Sequence, residues 1–480
     1  MTLLAAPPVR TFAGSDLTAA AVTFLTQSRF EALSPDILEI SRRCLLDSTG
    51  LVLSGLGVPA IRILTGFARE QGGAAQALLL GEGDLRVPVQ VAARVLGTAG
   101  HVHDFDDTQV SHDPAHVYGL LTHPSIPPFS AALAISDMLG SVSGQKFVTA
   151  FNYGFELGCK ISEWMQPDHY LRGHHTSGTV GTFSACAAAC VLLDLDATAT
   201  ARALGITGSF AAGIRCNFGT MTKPLHVGRA AENGVLAAML AARGYTADPT
   251  VLDGPWGFPA VLGGGFSPEK VTQGFGRTWS IVNPGVSIKP YPSGILTHQS
   301  MDMVKNLVLR EDVDPATVER IDFYAGDNIL RPIRYRVAKN ELQAKFSMAA
   351  LISMLVLHRD AGLAQFDDDV IAAPAFQDMQ QRVQTHVDAE INAKGFDLIR
   401  SRVEITLKDG KVLKAEADTR YRGGPSWPLS DADLREKYDG CVSKLDLALT
   451  DQIAKEVLNL TDAASTTVLL NLLRQAKVRA

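Results

Sequence analysis

Several features that would place a chain in a familiar class are missing here. The sequence has no Walker A, GxSxG or HExxH motif, so nothing indicates a P-loop nucleotide site, an α/β-hydrolase or a zinc peptidase. Its six cysteines form no CxxC pair and no regular framework, which fits a reducing compartment. The first residues lack a basic segment followed by an apolar stretch, so no signal peptide is predicted. We therefore expect a cytoplasmic protein.

The chain also lacks net basic charge and a convincing membrane span. Its net charge is −6, so no global field favours nucleic acid or anionic lipid. Any anionic ligand would have to be gathered by a local basic pocket. Residues 176–193 form an uncharged run, but their Gly, Ser and Ala content predicts a tightly packed core helix. We expect neither a nucleic-acid nor a membrane partner.

What the chain does contain, from Ser15 to about Phe266, is one helical pattern after another. Ser34-Pro35-Asp36 supplies an N-cap, a proline at the first helical position and an acidic first turn. No strand alternates with these helices, which argues against a doubly wound nucleotide fold. The predicted helices are residues 15–33, 34–53, 87–100, 130–139, 145–165, 178–193, 197–207 and 226–243.

The pattern changes near Phe275. Short alternating segments predict strands at residues 279–282, 318–324, 403–407 and 412–417. Asp409-Gly410 lies between the last two and is a strong hairpin signal. Helical patterns cover residues 341–357 and 376–391. After Gly423 helices resume, with a capping box at Ser430 and Asp433 and further N-caps predicted at Thr450 and Thr461.

These patterns predict a mainly α protein. A large all-helical domain would span residues 1–270 and be completed by residues 425–480. A smaller α+β domain, residues 271–424, would be inserted between them.

Ten of the twelve histidines fall in four segments, residues 101–125, 169–182, 215–229 and 289–298. The first segment, HVHDFDDTQVSHDPAHVYGLLTHPS, holds five histidines and four aspartates. Such groups titrate or hydrogen-bond near neutral pH, so proton-transfer chemistry is expected to start there. In the third, Gly and Pro interrupt the helical pattern, so Lys223 and His226 are predicted at a helix entrance. A cation and exposed backbone N–H groups there can bind a carboxylate.

Other interpretations of these segments stay open. His101-Val102-His103-Asp104 resembles an HxH metal motif, although such pairs usually follow a strand and this one ends a helical pattern. The acidic run could be a solvated helix end. Lys223, Lys289 and His298, taken singly, could be surface residues.

Seven segments in order resemble the MmgE/PrpD family over nearly the whole chain. They are DSTGLVLSG, HDFDD followed by THPS, HYLRGHHTSGTVGTF, NFGTMTKPLHVGRAAENG, KPYPSG, ELQAKFSM and WPLSDADLREKYDGC. The family includes 2-methylcitrate dehydratase, cis-aconitate decarboxylase and iminodisuccinate epimerase. FGTMTKPLHVGRAA is most similar to the branch that contains the epimerase.

The resemblance implies a cofactor-free and metal-free homodimer whose smaller α+β domain is a lid. A small polycarboxylate would bind between lid and helical domain. Asp104, His123, His175 and Lys223 fall on positions that imply catalytic roles. The candidate substrate-binding residues are Lys289 and Tyr335, which match family positions, together with Arg215, His226, Arg229 and His298 from the same part of the sequence.

Three departures from the family pattern stand out. Asp104 and His123 are separated by an insert, residues 108–122, with His112, His116 and Tyr118; we expect a loop at the cleft mouth. Ser293 or Gly294 occupies the place of a histidine that follows KxxP in cis-aconitate decarboxylase, which disfavours itaconate formation. Gly173-His174-His175-Thr176 replaces a WHP element.

The expected activity is a cofactor-independent lyase that hydrates or dehydrates a small hydroxy-polycarboxylate. His123 or His175 would move the proton next to a carboxylate, and Asp104 would orient a histidine. Lys223 and Lys289 would bind substrate carboxylates. The alternatives are an epimerase of a dicarboxylate such as iminodisuccinate, a decarboxylase of a cis-aconitate-like acid, a metal-dependent hydrolase and a non-catalytic binding protein.

Overall fold

The computed structural model describes residues 16–110, 121–266, 271, 274–394 and 400–478. This part of the chain is mostly helical, with a small sheet in the C-terminal region. The helices before residue 270 are α1 (Leu17–Thr26), α2 (Pro35–Ser54), α3 (Pro59–Gln71), α4 (Val89–His101), α5 (Ile126–Met138), α6 (Gly144–Trp164), α7 (Asp168–Leu171), α8 (Thr176–Leu192), α9 (Ala197–Phe210), α10 (Thr222–Ala242) and α11 (Phe258–Gly263).

Three elements near the N-terminus differ from the sequence-based expectation, one of them helix α3, which was not predicted. The first helix was expected to reach residue 33 but ends at Thr26, and a short 3₁₀ turn, Phe30–Ala32, follows. A two-stranded antiparallel sheet of β1 (Ala77–Leu78) and β2 (Arg86–Val87) was not predicted, because two residues are too few to show alternation. The predicted start of α2 is confirmed, since Ser34 Oγ accepts a hydrogen bond from the Ile37 N–H.

Helix α8 lies at the centre of the helical packing and is buried along its whole length. It contacts α5, α6, α9 and α10. Small residues allow this approach: a Cβ on Gly234 of α10 would lie 2.5 Å from the Cys186 backbone nitrogen. The prediction of a packed core helix at residues 176–193 is confirmed. Among the described residues no single helix has the length and apolar composition of a membrane span, although α2 and α3 together, bent by 79°, meet that criterion by length and composition.

The C-terminal sheet has four strands in the order β4-β3-β5-β6. Its strands are β3 (Val318–Ala325), β4 (Val383–Val387), β5 (Ser401–Leu407) and β6 (Val412–Glu416). Strand β3 pairs in parallel with β4 and antiparallel with β5, and β5 and β6 form the hairpin predicted at Asp409-Gly410. The helices around the sheet are α12 (His298–Arg310), α13 (Asp327–Leu330), α14 (Glu341–Ala344), α15 (Met348–His358), α16 (Asp368–Ala372), α17 (Pro374–Arg382) and α18 (Ala389–Ala393).

Three predictions in this region are wrong. Residues 279–282 are not a strand; they enter a helical turn, Ile281–Gly285, that contains Pro284. The helix predicted at 376–391 is α17, β4 and α18, because alternating Val383, Thr385 and Val387 favour a strand. The helix predicted at 341–357 breaks before Ser347, whose side chain caps α15.

The chain ends in three helices, α19 (Asp431–Val442), α20 (Leu447–Leu458) and α21 (Thr467–Gln475). The predicted capping box of Ser430 and Asp433 is confirmed at α19. The predicted caps Thr450 and Thr461 are wrong, because Asp446 caps α20 and Thr466 precedes α21. Helices α19 and α20 pack against α2, so both ends of the chain meet in one helical layer. The domain boundaries at residues 270 and 425 remain predictions.

Candidate active site

The candidate site is built on the segment that leaves helix α4, residues 102–110, called here the acidic loop. Asp104 in this loop is buried and has φ of 51°, a left-handed conformation that non-glycine residues seldom adopt. Three buried lysines each donate to one carbonyl oxygen of the loop: Lys345 to Val102 (3.1 Å), Lys289 to Asp104 (2.9 Å) and Lys437 to Phe105 (2.8 Å). The loop is therefore held in place by charge-assisted hydrogen bonds.

Alternate residues of the loop point to opposite sides. His103 bonds to Glu341 at 3.3 Å and to the Ser54 carbonyl oxygen at 3.2 Å, and it lines a cavity of about 850 Å³ with Phe105. Asp104 and Asp106 face the other side. His101 lies on the side of Asp106, because its Nδ1 atom is 2.8 Å from Asp106 Oδ1. His101 and His103 therefore face different sides and cannot chelate one ion as an HxH motif would.

Asp104 is the negative centre of the site. Its Oδ1 accepts from Lys289 Nζ at 2.7 Å and from Lys223 Nζ at 3.0 Å. Burial alone would raise the pKa of Asp104, but the charges of Lys223 and Lys289 hold that pKa well below its usual value. Its Oδ2 is buried and has no hydrogen-bond partner among the described residues.

The two lysines differ in how many N–H groups the described residues engage. Lys289 donates to Asp104 Oδ1, to the Asp104 carbonyl oxygen and to the Ser293 carbonyl oxygen at 3.1 Å, which uses all three of its donors. Lys223 donates to Asp104 Oδ1 and to His101 Nε2 at 2.9 Å, which uses two. Burial lowers the pKa of Lys223. Lys223 therefore retains one N–H for a ligand.

A second carboxylate, Asp106, contacts two histidines. The Nδ1 atom of His101 lies 2.8 Å from Asp106 Oδ1, and the Nδ1 atom of His123 lies 3.2 Å from Asp106 Oδ2. Burial lowers the pKa of His101 to about 3 and also lowers the pKa of His123. Asp104 was expected to orient a histidine, but the carboxylate that contacts the two histidines is Asp106. Asp106 occupies that position, and the nearest approach of His123 Nε2 to Asp104 Oδ1 is 3.9 Å.

His175 and His226 close the site on the side of helices α8 and α10. Their Nδ1 atoms lie 3.0 Å apart, so one ring donates and the other accepts. His175 stacks on His101 with ring centroids 5.7 Å apart and meets the Phe218 ring edge-on at 5.1 Å. Burial, followed by the charge of Lys223, holds the pKa of His175 well below its usual value.

Arg215 and Tyr335 lie at the edge of this cluster. The Arg215 guanidinium sits 3.8 Å above the Tyr170 ring and donates to the Tyr170 carbonyl oxygen. The Tyr335 hydroxyl donates to the carbonyl oxygen of Phe218 at 3.5 Å, and the Phe218 ring in turn contacts His175.

Two of the predicted substrate-binding residues do not join the cluster. His298 is buried behind Lys289, and its Nε2 donates to the Ser293 carbonyl oxygen at 3.2 Å. The Arg229 side chain is half-exposed and forms an ion pair with Glu232 on the same helix. Arg229 lies six residues after Lys223, which turns it to another face of α10.

The sequence-based prediction missed Asp106, Lys345 and Lys437 and considered His101 only as a metal ligand. Asp106 belongs to the same HDFDD run as Asp104, and that run was the signal available for it. A lysine within the apolar stretch AKFSM could have marked Lys345 as buried. Residues 111–120, with His112, His116 and Tyr118, lie outside the described residues, so the loop expected at the cleft mouth remains a prediction.

The cluster also has ligand atoms close enough for a metal. His101, Asp104, Asp106 and His123 offer atoms within 4.8 Å of one another. However, the Nζ atoms of Lys223 and Lys289 lie within 3.0 Å of Asp104 Oδ1. Ammonium groups there would repel a divalent cation, so the donor set fits a metal poorly.

Comparisons of the sequence with protein-family models and with known proteins identify the same family. Residues 20–271 match the MmgE/PrpD N-terminal domain, and residues 291–460 match the MmgE/PrpD C-terminal domain. The chain is 29% identical over 456 residues to cis-aconitate decarboxylase of Homo sapiens, covering 92% of this chain and 91% of that protein. It is 30% identical over 458 residues to cis-aconitate decarboxylase of Mus musculus (93% and 91%) and 25% identical over 460 residues to that of Aspergillus terreus (91% and 92%). With both domains matched in order, this chain belongs to the MmgE/PrpD family.

Proposed function

We propose that this protein is a cofactor-independent lyase that acts on a small polycarboxylate at the carbon next to a carboxylate group. The observation that carries the proposal is the junction of Asp104, Lys223 and His123. It combines a buried cation with a neutral histidine, and among the described residues one N–H of Lys223 and the Nε2 atom of His123 have no hydrogen-bond partner. A carbon acid of this kind is weak, so its base needs a cation that stabilises the enolate-like charge.

The favoured reaction is dehydration of a hydroxy-polycarboxylate, or hydration in reverse. His123 Nε2 takes the proton from the carbon next to the carboxylate, and the C–H electron pair becomes the double bond. The C–O bond breaks, and the departing hydroxide takes a proton from Lys223 and leaves as water. The reaction needs one base and one acid, and the site offers both.

Decarboxylation of a cis-aconitate-like acid is the second candidate, because the relatives named above are cis-aconitate decarboxylases. In that reaction the C–C bond breaks, carbon dioxide leaves, and the electron pair delocalises over the neighbouring double bond and carboxylate. One proton, from Lys223 or His123, then completes the product. No base is required, so His123 would act only as an acid.

The test is incubation of the enzyme with citrate, 2-methylcitrate, cis-aconitate and iminodisuccinate. Absorbance of the conjugated double bond, released carbon dioxide and optical rotation are followed separately. Dehydration changes the absorbance without carbon dioxide, and decarboxylation releases carbon dioxide. Loss of optical rotation with neither signal would identify an epimerase and contradict the lyase proposal.

Variants distinguish catalysis from simple binding. His123→Ala is expected to lose the activity. His386→Gln is the matched control, because His386 is partly exposed on β4 and pairs with Asp322 far from the acidic loop. Equal activity in the two variants would contradict the role of His123.

Three further properties are proposed on the family resemblance alone: a lid formed by residues 271–424, a homodimer and a cytoplasmic location. Light scattering in solution tests the dimer. Small-angle scattering with and without tricarballylate, a saturated tricarboxylate, tests lid closure. Cell fractionation tests the location.

A further inference from the structure

We propose that Asp106 is a positioning residue that fixes the tautomers of two histidines at once, and so prepares both the base His123 and the acid Lys223. The inference rests on the proposed function. It starts from the two contacts of one carboxylate, with His101 Nδ1 at 2.8 Å and with His123 Nδ1 at 3.2 Å.

The chemistry of the contacts dictates the tautomers. An ionised carboxylate only accepts hydrogen bonds, so each facing Nδ1 atom must carry the proton. In a neutral imidazole the other nitrogen, Nε2, then holds a lone pair. Both rings are buried, as is Asp106 itself, so water has little access to offer an alternative partner. The Thr108 hydroxyl also lies 3.4 Å from His123 Nδ1, but a hydroxyl can accept from that N–H as the carboxylate does.

For His123 the consequence is a usable base. Its Nε2 atom lies 3.9 Å from Asp104 Oδ1, the atom that both lysines contact. With the opposite tautomer an N–H would occupy that position, and the ring could not accept the substrate proton.

For His101 the consequence is that it fixes the orientation of the acid, Lys223. Its Nε2 lone pair accepts from Lys223 Nζ at 2.9 Å, while Asp104 accepts a second N–H of the same group. The third N–H of Lys223 is thereby aimed away from both. With the opposite tautomer, the N–H of His101 would face the ammonium, and two donors would repel each other.

Asp104 and Asp107 do not share this role. Asp104 is engaged by lysines. Asp107, the next residue after Asp106, accepts hydrogen bonds from the backbone N–H and the hydroxyl of Ser125 instead. Asp107→Asn is therefore a matched control for Asp106→Asn, with the same chemical change one residue away.

The first experiment reads the tautomers without a substrate. The free enzyme is labelled with ¹⁵N-histidine, and His101→Asn and His123→Asn variants assign the two rings by NMR. Protonated Nδ1 and unprotonated Nε2 are expected for both rings. An Nε2–H tautomer in either ring overturns the proposal, whether or not any acid is turned over. Failure of the proposed function is therefore separate from failure of this inference.

The second experiment measures kinetics. Asp106→Asn should lower kcat by about a thousandfold or more, as expected when a base loses its orienting carboxylate. It should also move the acidic limb of kcat/KM to lower pH, because Asp106 raises the pKa of His123. Asp107→Asn should keep the kcat and the pH profile of the wild type. Equal activity of the two variants, or an unchanged pH profile in Asp106→Asn, overturns the proposal. If Asp106→Asn does not fold, the wild-type NMR result decides.

Discussion

Lys289 contacts Asp104 twice, through its backbone carbonyl oxygen at 2.9 Å and through its carboxylate Oδ1 at 2.7 Å. One ammonium thus fixes both the charge and the backbone of a residue whose φ is 51°. The third donor of Lys289 goes to Ser293. In this geometry Lys289 holds the site together, and Lys223 is the lysine with an N–H left, among the described residues, to contact a substrate.

Lys289→Met should destabilise the fold strongly. It removes one of the two cations that pair with the buried Asp104 carboxylate and takes a donor from the carbonyl oxygens of Asp104 and Ser293, of which Ser293 keeps the bond from His298. Breaking one partner of a buried ion pair costs about 3–5 kcal/mol. The free energy of unfolding in urea measures the loss.

The control for this change is Lys305→Met. Lys305 pairs with Asp360 at the surface, and both side chains are partly exposed. Surface pairs contribute about 0–1 kcal/mol, so this variant should unfold close to the wild type. A Lys289→Met protein as stable as Lys305→Met would contradict the structural role of Lys289.

Lys223→Met should weaken substrate binding. The variant loses a charge-assisted hydrogen bond, which contributes about 1.5–3 kcal/mol, or roughly a 10- to 150-fold rise in Kd. Calorimetric titration with tricarballylate gives the Kd directly. Lys146→Met, which removes an exposed lysine paired with Asp194, should bind as the wild type does. An unchanged Kd in Lys223→Met would show that another group anchors the carboxylate.

Much of the candidate site could be predicted from the sequence. The crowding of titratable groups marked the segments, the family resemblance assigned Asp104, His123 and Lys223 within them, and the structure brings these three together. The pairing of Asp106 with two histidines could not be predicted, because it depends on the direction each side chain takes after α4 ends. Lys345 and Lys437 lie more than 200 residues from the acidic loop that they contact, and no local sequence pattern predicts such contacts.

In the fold as well, features set by local sequence could be predicted and features set by distant contacts could not. The predicted helices before residue 270 were found because caps and periodicity act locally. Residues 376–391 were mistaken for one helix because β4 is five residues long and is stabilised by parallel pairing with β3, a partner that lies about sixty residues earlier. Tertiary pairing decided the structure there.

His298→Gln should alter stability rather than substrate binding. His298 is buried, and its Nε2 bonds to the carbonyl oxygen of Ser293, which also accepts from Lys289. Disturbing a buried hydrogen bond costs about 1–3 kcal/mol. Urea unfolding should report this loss while KM for the best substrate stays constant. A large rise in KM without loss of stability would restore His298 as a substrate-binding residue.

The activity should persist below pH 6.5. Burial lowers the pKa of His123 from its ordinary value, so the ring stays neutral and able to act as a base at a pH where an exposed histidine is already protonated. The acidic limb of kcat/KM therefore lies below pH 6.5. A limb above that value would exclude His123 as the base in the free enzyme.

Stability should change with pH through Asp107. Burial raises the pKa of Asp107 to about 7, although its hydrogen bond from Ser125 opposes the rise. The folded protein then keeps a proton that the unfolded chain releases near its ordinary pKa of about 4. The contribution of Asp107 to the free energy of unfolding is at its maximum below about pH 4. It decreases as pH rises towards 7, by no more than about 1.4 kcal/mol per pH unit.

Asp107→Asn should remove that slope and make the protein more stable than the wild type at pH 8. The amide is neutral at every pH, and its oxygen can keep a hydrogen bond from Ser125. Other groups also titrate: burial raises the pKa of Glu156 to about 7 and lowers the pKa of His226 to about 4. Both are present in wild type and variant, so the difference between their unfolding free energies at pH 5 and pH 8 isolates Asp107. A difference that does not grow with pH would mean that Asp107 is ionised in the folded protein, with Ser125 satisfying the charge.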